Sequence, residues 1–259
     1  MHGHRGSTVG RALGTKLVEL HESRVVPIVR ALVDVLVPPQ CVGCDAPGRY
    51  WCRTCASSLA SPTAVAIPGL PPVWAAGRYE GAVVKAIKAW KEDGSTILEP
   101  LLAPALAHGV ADAVGDWPAA GLGVVPVPPT AAALRRRGHD PMLSLATAAA
   151  TRLAQLGRPT KVATCLAAAR PRHDQSRLGV AERSRNMYRS MTLSSAAPPY
   201  VVVVDDIVTT GATLREVLRA LSPHTHVLGC AVLAATAKRP AHSAGLPLDT
   251  GRGSARVDV

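Results

Sequence analysis

The sequence predicts an α/β fold, a mainly parallel sheet flanked by helices, with a small cysteine-rich module ahead of it. Three observations predict this. First, Tyr200–Leu221, YVVVVDDIVTTGATLREVLRAL, contains a continuous β-branched run, Val201–Val204, that passes directly into an amphipathic helix. Such a run marks a central parallel strand covered on both faces. Second, strand-like and helix-like segments alternate from Val73 to Ala234, the order that builds parallel sheets. Third, four of the six cysteines fall between Cys41 and Cys55. The 259 residues, 47% of them apolar, suffice for one α/β domain plus a small module.

The elements are predicted in chain order as follows. Residues 1–37 form an N-terminal tail and helix, helical over Val9–Val37 with an interruption at Pro27. Val25–Val37 is the nearest approach to a membrane span, but Arg30 and Asp34 interrupt it, and no stretch reaches the roughly 18 apolar residues a span needs. Residues 38–60 are the cysteine module, and the Ser/Pro/Gly-rich stretch Ser61–Pro72 reads as a linker or loop. The α/β body covers 73–238. In it we predict a strand over Val73–Tyr79, a helix over Ala82–Lys91 and a helix over Ile97–Val114 containing Pro100 and Pro104. A strand follows over Leu122–Val127, a helix over Pro141–Leu156, a short strand within Lys161–Ala169 and a mobile polar loop over Arg170–Asn186. The valine run, its helix and a last strand over His226–Ala234 complete it. Residues 239–259 are Gly/Pro/Ser/Arg-rich and read as a flexible tail.

The cysteines have the spacing Cys41-x2-Cys44-x7-Cys52-x2-Cys55. Two CxxC knuckles joined by a Gly/Pro turn suit four-thiolate tetrahedral zinc. Four cysteine ligands leave no position open for water, so the metal's role is structural. Two disulfides are the alternative, but nothing at the start of the chain has a signal-peptide layout, and a cytoplasmic location is expected. Cys165 and Cys230 stand alone in apolar surroundings and read as small core residues.

At the end of the valine strand, Asp205 and Asp206 sit where open α/β sheets place their ligands. Thr209, Thr210, Gly211, Ala212 and Thr213 then turn the chain into the helix carrying Leu214, Val217, Leu218 and Leu221. A helix N-terminus offers free N–H groups and partial positive charge to a phosphate. Glycine permits close backbone approach, and the threonines add hydroxyl donors. Adjacent carboxylates accept hydrogen bonds from neighbouring hydroxyls such as a ribose 2′,3′-diol. Phosphate at one end and a diol at the other describe a ribose 5-phosphate. The bland alternative is a strand–turn–helix whose aspartates cap the helix.

At DDIVTTGAT the chain resembles the type I phosphoribosyltransferases, whose motif for phosphoribosyl pyrophosphate (PRPP) is a hydrophobic strand, two acids and a Thr-Thr-Gly-type loop. With the cysteine module, the resemblance narrows to the ComF family of competence-associated phosphoribosyltransferase-like proteins. VLVPPQCVGC, Tyr79-Glu80-Gly81 with AIKAWKEDG, VVPVPPTAAALRRRGHDP and ARPRHDQSRLGVAERSRNM are similar to that family's segments, from about Leu32 to about Lys238. One segment departs. The family's usual Arg-Gly-Phe-Asn-Gln is here Arg137-Gly138-His139-Asp140-Pro141, and the lost amide side chains are expected to weaken a contact to ligand or to a neighbouring loop.

The resemblance implies a type I phosphoribosyltransferase-like fold that binds PRPP with Mg²⁺ and transfers its phosphoribosyl group to an acceptor with loss of pyrophosphate, a pentosyl (glycosyl) transfer. Asp205 and Asp206 would be the catalytic, ribose-binding acids, and Thr209–Thr213 the phosphate loop. By position, Pro128, Arg135, Arg136 and Arg137 are candidate pyrophosphate contacts, and Arg172, Gln175 and Arg177 candidate contacts from a hood over the site. The family also implies a role in competence and DNA uptake beside a helicase-like ATPase, and an even-numbered homo-oligomer is expected from commonness.

Charge gives a second reading. The formal net charge is +11, and Arg135–Arg189 holds 12 Lys or Arg against three acids. A basic surface attracts polyanions, PRPP or DNA alike, although 3% aromatics disfavour a stacking platform for single strands. The competing class is therefore a non-catalytic PRPP-sensing or DNA-handling factor that kept the fold. Lys88 and Lys91, on the short helix, read as ordinary solvated lysines.

Overall fold

The computed structural model describes residues 38–92, 96–168 and 189–236. The cysteine module comes first and includes a short helix, α1 (Arg53–Ser57). Strands β1 (Thr63–Val65) and β2 (Val73–Arg78) follow, then helix α2 (Gly81–Glu92). A 3-10 turn over Thr96–Leu98 leads into α3 (Glu99–Val114). Strand β3 (Leu122–Pro126) precedes α4 (Ala131–Arg137) and α5 (Pro141–Gln155). Next come β4 (Thr160–Val162), β5 (Leu166–Ala168) and β6 (Met191–Leu193). Strand β7 (Tyr200–Val208), α6 (Ala212–Leu221) and β8 (His226–Ala235) complete the described chain.

Six strands form one sheet in the order β1-β2-β8-β7-β3-β4. Within this sheet, among the described residues, only the β1–β2 pair is antiparallel. The fold class is the one the sequence predicts. The valine run lies at the sheet's centre, between β8 and β3, and all four valines are fully buried. Its pleat divides them. Val202 and Val204 enter the core shared with α2, α3, α5 and the cysteine module, whereas Val201 and Val203 enter the core under α6. Strand β8 alternates in the same way, with Ala231 and Leu233 on the first face and Cys230 and Val232 on the second. Gly109 lets α3 approach β8, because a Cβ there would come within 3.3 Å of the Ala231 methyl.

Several elements differ from expectation. The stretch Ser61–Pro72 contributes β1, which pairs Thr63 with Ala75 and Val65 with Val73. A three-residue strand is too short to register as a period in the sequence. The predicted strand within Lys161–Ala169 is two strands: β4 extends the sheet, and β5 pairs antiparallel with β6. The Arg135–Arg137 turn is the last turn of α4. Strand β7 also runs on through both aspartates to Val208. The expected helix over Val9–Val37, the polar loop over Arg170–Asn186 and the tail over 239–259 lie outside the described residues.

The returning strand β6 is held to α6 by a buried carboxylate. Glu216, 3% exposed, accepts from the Met191 N–H at 3.0 Å and from Arg219 at 2.9 Å through both carboxylate oxygens. Arg219 in turn donates to the Met191 carbonyl at 2.7 Å, so the pair imitates a neighbouring strand. Burial works to raise the Glu216 pKa, but the Arg219 and Met191 hydrogen bonds outweigh it and hold the group below its usual range. Glu216→Gln should cost about 2 kcal/mol, below the usual cost of breaking a buried pair because Arg219 is partly exposed, and lower Tm by roughly 5 °C. A folded pKa below the unfolded one contributes stability above the unfolded value, and that stability is lost as pH falls through the folded value. Thermal melts should therefore show the full difference above about pH 6, shrinking below about pH 4. A difference independent of pH would rule out the charge as its source.

Candidate functional site

A cavity of about 310 Å³ opens beside the ends of β7 and β3. Asp205, Asp206 and Thr213 line it from β7 and the start of α6, and Pro128, Arg136 and Arg137 from the β3–α4 connection and α4. These six expected site residues come from segments far apart in the chain. Arg135 is exposed on α4 and is not part of the cavity wall. Thr209–Gly211 form the turn into α6, which Ala212 begins, and of the expected loop only Thr213 lines the cavity. Arg172, Gln175 and Arg177 lie outside the described residues.

Both acids are buried, Asp205 at 9% and Asp206 at 5% exposure. They do not cap the helix: Gly211 is the N-cap residue of α6 and no side chain caps it. The backbone N–H of Asp206 donates to Asp205 Oδ1 at 2.9 Å. Burial, and then the adjacent Asp206 charge, push the Asp205 carboxyl well above the usual range. Asp206 is matched instead by Lys91 Nζ from the last turn of α2, 115 residues away in sequence. The sequence reading of Lys91 as a solvated lysine is corrected here: its side chain is 27% exposed, ion-paired and part of the cavity wall. Nothing in the spacing of Lys88 and Lys91 distinguishes them, because only packing brings one to the acids.

The α6 N-terminus is shaped by a backbone that only glycine adopts readily. Gly211 has φ +77°, and a Cβ there would lie 2.9 Å from both Ile67 Cγ2 and Leu70 Cδ1. Arg215 fastens this turn to the chain after β1, donating to the Thr210 carbonyl at 2.9 Å and to the Pro68 carbonyl at 2.9 Å. The supposed linker is therefore the outer wall of the loop, a role invisible in its composition.

The departing segment has its own work. Asp140 accepts from the Leu143 N–H at 3.1 Å as the N-cap of α5, and Pro141 occupies the first turn. Both residues also line the cavity. Where the sequence suggested only a lost contact, the structure shows a capped helix start. Arg137 Nε is buried with no hydrogen-bond partner among the described residues, an unsatisfied cationic donor in the cavity wall.

The cysteine module is a second site. The sulfurs of Cys41, Cys44, Cys52 and Cys55 all lie within 4.8 Å of one another. No cysteine is in a disulfide among the described residues. The Cys52 N–H donates to Cys41 Sγ at 3.3 Å and the Cys55 N–H to Cys52 Sγ at 3.4 Å. At Cys41, burial acts to raise the thiol pKa, but backbone N–H groups led by that of Cys52 outweigh it and bring it down to about 6. Four close sulfurs, thiolate-favouring at Cys41 and Cys52, suit a metal such as zinc. The module is docked onto the body. A Cβ on Gly43 would lie 2.7 Å from the Ala82 methyl of α2, one on Gly77 would lie 2.2 Å from the Ser58 carbonyl oxygen, and Lys85 pairs with Asp45 at 3.2 Å. Trp51 and Trp90 are buried in the same core. Cys165 and Cys230 are buried as expected.

A family model described as the phosphoribosyl transferase domain matches residues 142–249. The match begins in α5, takes in the aspartate pair and the turn over Thr209–Thr213, and supports PRPP-type phosphoribosyl transfer at the level of the family. Together with the cysteine cluster it fits a phosphoribosyltransferase-type protein carrying a metal knuckle. A search of curated proteins gave no match. No helix among the described residues is long and apolar enough to cross a membrane.

Proposed function

We propose that this chain binds Mg–PRPP in the 310 Å³ cavity and transfers its phosphoribosyl group to a nucleophilic acceptor, with release of pyrophosphate. The observation that carries this reading is the gathering of an acid pair, an uncapped helix N-terminus and two arginines around one cavity. Asp205 and Asp206 hold the ribose diol, and Thr209–Thr213 with the free N–H groups of α6 hold the 5-phosphate. Pro128, Arg136 and Arg137 face the pyrophosphate, where guanidinium groups offset the charge that builds on it as it leaves. Mg²⁺ brought with the diphosphate would supply charge balance beside Asp205 and Asp206. The oxocarbenium-like C1 is then attacked from the open side. The protein contributes position and electrostatics more than proton transfer. Zinc on the four cysteines would hold the knuckle against α2.

A DNA-handling role of the ComF type, beside a competence ATPase, is the second reading. It is favoured by the exposure of Arg135, Arg152, Arg158 and Lys161, which belong to the basic segment. Calorimetric titration with PRPP and Mg²⁺, followed by an acceptor screen for pyrophosphate release, tests the first reading. Micromolar binding is expected. If PRPP does not bind and DNA is shifted with an affinity that falls steeply with salt, the second reading replaces the first.

A further inference from the structure

We infer that Lys91 is a ligand-binding residue of the cavity, recognising the diphosphate group of a phosphosugar while it neutralises Asp206. The inference rests on the PRPP reading of this cavity. Lys91 Nζ pairs with Asp206, its one hydrogen-bond partner among the described residues, and lines the same cavity as Arg136 and Arg137. An ammonium carries three donors, so one acceptor leaves two for a ligand.

The position is built rather than incidental. Helix α2 buries Val83, Ala86, Ile87 and Trp90 in the larger core. Near its other end, Ala82 abuts Gly43 of the cysteine module, and Lys85 pairs with Asp45. A lysine carried on a helix fixed at both ends has its backbone set before ligand arrives, which lowers the ordering cost of binding. Charge selects the ligand class. The 5-phosphate of a simple sugar phosphate is served by the α6 N-terminus. Lys91 and Arg137, whose Nε has no partner, lie outside that loop in the same cavity wall. Lys91, with two donors beyond the one Asp206 takes, and Arg137, with one donor unmet, can together serve a second anionic group, and a diphosphate supplies it. Lysine, a point charge on a long stem, suits a leaving group that must also depart.

The test compares wild type, Lys91→Met and Lys91→Arg by calorimetry with three probes: PRPP with Mg²⁺, inorganic pyrophosphate with Mg²⁺, and ribose 5-phosphate. Thermal melts accompany each protein as a check on folding. Lys91→Met should weaken PRPP and pyrophosphate by about 10- to 100-fold, with Lys91→Arg in between, because a charge-assisted hydrogen bond is lost. Ribose 5-phosphate affinity should change less than about threefold, a discrimination that a general loss of structure would not produce. Equal weakening of all three probes, or no weakening of any, overturns the inference. Wild type that binds pyrophosphate but not PRPP would sink the PRPP reading, while loss of pyrophosphate in Lys91→Met would still support the lysine's role. Wild type that binds none of the probes overturns both.

Discussion

Replacing both aspartates, Asp205→Asn with Asp206→Asn, should weaken PRPP by at least about 100-fold while the protein still folds. An amide presents only one acceptor oxygen to the diol and adds donors where the sugar hydroxyls must donate. Undiminished binding in the double variant would refute the site. The single variants should move stability in opposite directions, and this separates their roles. Asp205 is buried, and its carboxyl titrates well above its ordinary range because burial, then the Asp206 charge, disfavour ionisation. A raised folded pKa gives stability that is fully present below the unfolded value and is lost as pH rises through the folded one. Asp205→Asn removes that loss, so its Tm should exceed that of wild type by several degrees at neutral pH, from about 1 kcal/mol, with the gap closing in acid. Asp206→Asn strips Lys91 of its counter-charge and should lower Tm instead. A binding site that is more stable once disabled is the expected mark of charge kept for a ligand.

Metal removal should have the second large effect. Cys41 is fully buried, and with Trp51, Cys55 and Leu59 it belongs to the same core as α2, α3 and α5. The knuckle is therefore not an appendage that can unfold alone. Chelation, or Cys41→Ser, should take bound metal from one ion per chain to none and lower Tm by roughly 10 °C or more. Elemental analysis beside calorimetric melts would settle it. A metal-free protein with unchanged Tm would mean that packing alone holds the module. Disulfides found by mass spectrometry under non-reducing conditions would restore the alternative reading of the cysteines.

How much of this was legible in the sequence follows from the range of the forces involved. The valine strand, its acids and the following helix were legible because they are local: a β-branched run, a turn and a period of 3.6 within 22 residues of one another. The start of α5 carried an equally local signal, Asp140 then Pro141, but comparison with a family pattern directed attention to the amides that were missing. Lys91 and Arg215 were not legible. Their partners, Asp206 and Pro68, lie 115 and 147 residues away, and no spacing rule reaches that far. The strands β1, β5 and β6 have three residues each, too few to show alternation.

The order of the sheet bears on how this chain resists aggregation. Tyr200–Val204 is uncharged and β-branched, the kind of segment that stacks into fibrils when it is free to pair. Here it is the most enclosed strand, with β8 on one side and β3 on the other. The sheet's two borders are instead three-residue strands, β1 beside Pro62 and β4 with Lys161 exposed. Short, charged or proline-flanked borders give a second chain little to add onto. Aggregation of the protein should therefore wait on opening of the whole sheet, so that shelf life follows global unfolding and any ligand that delays unfolding also preserves the stock.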